Sequence, residues 1–140
     1  ALLSFAYSLL ASDCAAALEG AGLDPYVGFL HRARPGRRSL ALDLMEELRA
    51  VLADRFVLSC INQKVLSAKH FEKQENGAVL LTEEGRRAFL NAWQQKKREV
   101  ITHPFLKEKL CWGLVPYVQA LLLARTLRGD LEVYPPFFWK

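Results

Sequence analysis

Residues 23–48 read LDPYVGFLH, RARPGRR and SLALDLMEEL in succession. The last of these segments decides the fold class. Leu40, Leu44, Met45 and Leu48 recur three and four positions apart, the spacing that lines one face of a helix. Ser39 stands where an N-cap belongs. Asp43 and Glu46 project together from the same helix, with Glu47 beside them. Ahead of this helix, Tyr26, Val27, Phe29 and Leu30 are apolar enough to anchor in a core, and Pro35-Gly36 marks a loop tip. His31 then lies where core meets loop. If the loop folds the chain back, His31 meets the acidic face. One imidazole with one or two carboxylates is a donor set for a divalent metal. Arg32, Arg34, Arg37 and Arg38 in the loop suit a phosphate-bearing substrate.

Helical spacing extends in both directions. Downstream it runs through Val51, Leu52, Phe56 and Leu58 to Ile61, with a break near Asp54. Upstream, Leu2, Leu3, Ala6, Leu9, Leu10 and Leu18 recur in an alanine-rich run that Gly20 and Gly22 end. Asp24-Pro25 opens a turn, with Pro25 suited to a first helical position. Lys64, Lys69 and His70 belong to a polar connector. Residues 71–81 hold the β candidate, a small hairpin turning at Glu75-Asn76-Gly77. Thr82 caps the next helix, Glu83 and Glu84 favour its dipole, and Phe89, Leu90, Trp93, Val100 and Ile101 form its apolar side. His103-Pro104 ends it. A last helix spans 105–128, kinked at Pro116, with Leu110, Leu114, Val118, Leu121, Leu122 and Ala124 facing the core. Gly129 stops it. The tail GDLEVYPPFFWK is too apolar to hang free and packs on the domain or on a partner. The pattern predicts a mostly α, bundle-like helical domain with one small β-hairpin.

The totals agree with a single folded domain. The chain has 140 residues, 51% of them hydrophobic, which argues against disorder. A formal net charge of +4 is compatible with a nucleic-acid partner without requiring one. Cys14, Cys60 and Cys111 are odd in number and widely spaced, and read as reduced, buried, inert thiols of a cytoplasmic protein. The first residues lack the basic start of a signal peptide. The most apolar run, 114–124, contains Gln119 and is too short to span a membrane. The chain opens in mid-pattern, without methionine or helix cap, as expected of a piece of a longer protein.

Each of these residues also has a plainer reading. Taken alone, His31 is equally a core-edge histidine with a satisfied hydrogen bond. Asp43, Glu46 and Glu47 are equally a solvated first-turn face that helps the helix dipole. The four arginines could form a solvated loop. Arg49 and Arg55 are expected to pair with Glu46, Glu47 or Asp54. Lys96, Lys97 and Arg98 read as a dipole-friendly helix end. Neither His70 nor His103 has an acid cluster near it in sequence, and the tryptophans Trp93, Trp112 and Trp139 read as packing residues.

GLDPYVGFLH with SLALDLMEELR, LADRFVL and IN resembles the C-terminal helical domain of the CRISPR-associated spacer integrase family. LLTEEGRRAFL and the hairpin HFEKQENGAV continue the resemblance, and YPPFFWK is similar to members of the type I-C kind. The resemblance covers essentially the whole chain. It implies a metal-dependent DNA endonuclease and integrase that joins short prespacer duplexes to a CRISPR repeat by phosphodiester transesterification. The family's metal, manganese or magnesium, is held by a glutamate, a histidine and an acidic residue. The histidine falls on His31 and the acidic pair on Asp43 and Glu46. His31 and Glu46 are the implied ligands, Asp43 an additional acid of the site, and Arg32, Arg34, Arg37 and Arg38 the implied DNA contacts. Here Glu46 replaces the more usual aspartate. The family's first glutamate and its N-terminal β domain have no match in these residues, so this piece is expected to be inactive alone. The implied partners are double-stranded DNA, a second copy in the full-length protein, the small Cas-two protein and a Cas-four nuclease, with no membrane. The rival expectation is a non-catalytic helical module that binds DNA or protein. A further one is an unrelated metal nuclease, which would need Glu47 as its third acid.

Overall fold

A computed structural model describes residues 2–25 and 39–139 of the chain. Helix α1 (Leu2–Gly20) buries Ala6, Leu10, Cys14, Ala15, Ala17 and Leu18. By length and composition it could cross a membrane, but its buried stripe is the centre of the core, packed against α2 (Ser39–Leu48) and α5 (Val115–Leu127). The alanines on that stripe let neighbouring helices approach closely. Its end is a Schellman closure. Gly22 sits at φ 80°, its N–H reaches Glu19 O at 3.0 Å, and Leu23 N–H reaches Leu18 O at 2.9 Å.

The chain then leaves and returns to nearly one point. The carbonyl of Pro25 accepts Leu40 N–H at 2.8 Å and Ala41 N–H at 3.1 Å. These are first-turn donors of α2, which have no partner inside the helix. A backbone carbonyl therefore caps α2. Leu40, Ala41, Leu44, Met45 and Leu48 are all buried, as their spacing predicts.

The expected break near Asp54 is a change of winding rather than an interruption. Residues Arg49–Asp54 form a π-helical segment that runs directly into α3 (Arg55–Asn62). Tyr7 of α1 donates to Asp54 Oδ1 at 2.5 Å, fixing the junction. Phe56 then meets Phe89 and Trp93 of α4 (Glu83–Lys97) at ring-centre distances of 5.0 and 5.1 Å, and Phe5 stacks on Phe89 at 5.3 Å. Leu58 and Ile61, read as continuing the apolar face, are 58% and 55% exposed. At about 100° per residue both fall well off the stripe that Leu48, Leu52 and Phe56 form, so helical spacing itself turns them outward.

The predicted hairpin is present, with β1 (Phe71–Lys73) antiparallel to β2 (Val79–Leu81) and Phe71 opposite Leu81. Gly77 adopts φ 87° at its turn. The Thr82 hydroxyl accepts Gly85 N–H at 3.0 Å, the expected cap of α4. The region after α4 differs from the sequence expectation. Val100 and Ile101 leave the helix and form β3 (Val100–Thr102), paired with β4 (Lys109–Cys111) in a second hairpin with His103-Pro104 in its loop.

Helix α5 starts only at Val115, so Pro116 lies in its first turn and causes no kink. There its missing N–H costs nothing. Leu114 and Leu121 are accordingly exposed, while Val115, Gln119, Ala120 and Leu123 point inward. Pro116→Ala is expected to lower stability by about 1–2 kcal/mol, through lost ring burial and a freer unfolded chain. A helix-interior proline would instead gain stability on replacement. Thermal unfolding separates the two.

Candidate functional site

The three acids of α2 reach different surroundings, although they occupy neighbouring positions. Asp43 is buried at 6% exposure. Glu46 is exposed and pairs with Arg49 at 3.4 Å, one of the acids expected for that arginine. Both line a cavity of about 540 Å³ whose other walls are Leu123, Thr126 and Leu127 of α5 and Tyr134 and Pro136 of the tail. The acidic pair singled out by spacing thus faces one common space.

Glu47 also borders the cavity, but its carboxylate is committed to the tail. Tyr134 donates to it with its hydroxyl 2.9 Å from both oxygens. Phe137 N–H reaches Oε1 at 2.9 Å, and Gln119 Nε2 reaches it at 3.3 Å. Burial raises the Glu47 carboxyl above the ordinary carboxylate range, and the Phe137, Tyr134 and Gln119 donors pull it back. Burial and the adjacent carboxylate push the Tyr134 hydroxyl strongly upward, so it stays a donor. Among the described residues, no group of three His, Cys, Asp or Glu could hold a metal.

His31, Arg32, Arg34, Arg37 and Arg38 lie outside the described residues. The remaining basic groups singled out in the sequence are largely used internally. Lys96 pairs with Glu99 at 3.1 Å and lies over the Trp112 ring, and Lys97 pairs with Asp13 at 3.2 Å. His103 is fully buried. Its Nδ1 accepts Phe105 and Leu106 N–H at 3.1 and 3.0 Å, so the proton sits on Nε2, which donates to Gln119 Oε1 at 2.7 Å. Cys14 and Cys60 are buried, and burial pushes the Cys60 thiol up to about 11. Cys111 is partly exposed, contrary to the expectation for all three.

The tail packs on its own domain. Phe137 is 3% exposed, stacks on Trp139 and meets Trp112 and His103 edge-on or tilted. The sequence reading missed its polar fastening to Glu47. The available signal was a tyrosine in an apolar tail, a residue type that seeks a partner for its hydroxyl when buried.

Comparison with known proteins bears on this arrangement. Residues 1–95 match the family model described as CRISPR associated protein Cas1. The chain is 62% identical to a CRISPR-associated endonuclease Cas1 of Rhodospirillum rubrum, covering 100% of this chain and 41% of that protein. It is 40% identical to a Cas4 exonuclease/Cas1 endonuclease fusion of Geobacter sulfurreducens, over 98% of this chain and 24% of the fusion. The chain thus spans well under half the length of these curated relatives. Among solved structures, a casposase bound to integration product superposes with TM-score 0.85 at 30% identity, over 99% of this chain and 41% of that one. A partial Cas6-RT-Cas1–Cas2 complex gives TM-score 0.77 at 26% identity, over 99% of this chain and 41% of that one. With the family model matched over more than half of its residues, the chain belongs to the Cas1 family of CRISPR-associated proteins.

Proposed function

We propose that this chain is the C-terminal helical, catalytic part of a metal-dependent DNA endonuclease and integrase of CRISPR adaptation. In the complete protein, prespacer duplexes are joined to the CRISPR repeat by transesterification. The observation that carries the reading is the shared cavity of Asp43 and Glu46, on a helix whose first turn is tied to Pro25. His31 lies six residues beyond Pro25, so the tether keeps it within about 20 Å of the start of α2. That bound allows His31 to meet the two acids.

The donor chemistry fits a hard divalent cation. Two carboxylates face one cavity, and His31 adds an imidazole, a combination suited to manganese or magnesium. His31 and Glu46 are the proposed ligands, with Asp43 an additional acid of the site. When bound, the cation supplies polarisation of the phosphoryl oxygen and orientation of the attacking hydroxyl. Arg32, Arg34, Arg37 and Arg38 neutralise DNA phosphates at the rim. The Cas2 in the superposed complex and the Cas4 fused to the Geobacter relative support those two proteins as partners, beside DNA and a second copy in the complete protein. The protein then works in the cytoplasm, and this chain by itself is inactive for want of a third ligand.

The test is a manganese titration of the complete protein by calorimetry, against a His31→Ala/Glu46→Ala variant. Binding that disappears in the variant is expected. Equal binding in both would sink the ligand assignment and favour the non-catalytic DNA- or protein-binding module.

A further inference from the structure

The polar groups around Glu47 form one directional chain. His103 is fully buried and donates from Nε2 to Gln119 Oε1 at 2.7 Å. That bond fixes the amide orientation of Gln119, also fully buried, so its Nε2 faces Tyr134 OH at 2.7 Å, Pro135 O at 3.2 Å and Glu47 at 3.3 Å. Glu47 then receives the Tyr134 hydroxyl and the Phe137 N–H. α5 and the tail thus bond one residue of α2 directly, and the β3–β4 loop reaches it through Gln119. Among the described side chains, no buried polar atom in the molecule lacks a hydrogen-bond partner, so the chain is fully satisfied, the condition under which a buried network rigidifies its surroundings.

The placement of this network matters. Glu47 directly follows Glu46 in sequence, and the tail residues it fastens, Tyr134 with nearby Pro136, are a wall of the cavity that Asp43 and Glu46 line. We propose that Glu47, backed by Gln119 and His103, is a positioning residue: it clamps the C-terminal tail onto α2 and thereby sets the width of the cavity and the placement of the Asp43 and Glu46 carboxylates. This rests on the functional reading above and adds to it a role for an acid outside the proposed ligand set. The supporting shell of a metal site commonly holds its ligands in this way, and its loss typically weakens metal binding or activity 10–100-fold.

The experiment uses the complete protein with Glu47→Gln, Tyr134→Phe and Glu46→Gln. Glu47→Gln keeps the side-chain size but places a second set of donors against Tyr134 and Phe137. Expected results are faster hydrogen–deuterium exchange across 134–138, manganese affinity weakened about tenfold, and kcat for strand transfer lowered 10–100-fold with KM for DNA unchanged. Tyr134→Phe removes one donor and shifts each quantity the same way by less. It also carries the test if Glu47→Gln does not fold. Unchanged exchange in the tail overturns the clamp. A loosened tail with manganese affinity and kcat within twofold of the parent overturns the positioning role, since a merely structural latch predicts that pattern. Glu46→Gln separates the two ideas. Manganese affinity lost there but kept in Glu47→Gln overturns the positioning role alone. Affinity kept in Glu46→Gln overturns the metal reading and the positioning role with it.

Discussion

His31→Ala or Glu46→Ala, introduced into the complete protein, is expected to abolish integration of a short duplex into a CRISPR repeat while leaving the fold intact. Each variant removes one proposed ligand. Residues that only support metal ligands already cost 10–100-fold when lost, so loss of a ligand should exceed a hundredfold. The fold should survive in Glu46→Ala because the Glu46 side chain is 37% exposed and its partner Arg49 is 45% exposed. Exposed pairs of this kind contribute about 0–1 kcal/mol. Asp43 is the more demanding position, because its buried side chain makes Asp43→Ala a packing change as well as a charge change. A strand-transfer assay decides the matter. Undiminished activity in either alanine variant, with an unchanged melting temperature, would remove that residue from the site.

Gly85→Ala is expected to be the most destabilising small substitution in α4. A Cβ at Gly85 would lie 2.5 Å from the carbonyl oxygen of His70, 2.9 Å from His70 Cβ and 3.2 Å from Leu81 Cδ2. The His70 carbonyl cannot easily retreat, since it also accepts Thr82 N–H at 2.8 Å at the foot of the first hairpin. Overpacking of this kind costs about 1–3 kcal/mol, and a backbone obstacle places the cost near the upper end. The better helix propensity of alanine returns at most about 1 kcal/mol. The net loss is about 2 kcal/mol, a melting point lower by roughly 6 °C for a domain of this size. Thermal unfolding of the chain measures it. A variant melting at or above the parent temperature would mean that the hairpin yields freely.

The residues that announced their structure did so through local chemistry. The Asn-Gly turn, the Thr82 cap, Gly22 and Gly129 at positive φ, and the apolar stripe of α2 each depend on neighbours within one or two turns. The second hairpin gave a weaker signal. Its strands are three residues each, and Lys107 at φ 62° stands at its turn where a glycine would have advertised the conformation. Pro116 was misread because a proline stops a helix in its interior and starts one at its first turn, and only the true start of α5 tells which. For the site, the pairing of Asp43 with Glu46 was legible because helical spacing alone puts them on one face. The different fate of Glu47 was not, since it depends on Tyr134 and Phe137, some ninety positions away, which no periodicity connects to it.

From Ser39 to Asn62 the chain is one continuous rod wound at two different pitches, with the acids at one end and Phe56 at the other. The π-helical stretch between them acts as a phase shifter. One residue in an α-helix turns everything beyond it by about 100°. The looser winding of Arg49–Asp54 therefore sets the azimuth of the cavity-facing carboxylates relative to the aromatic core.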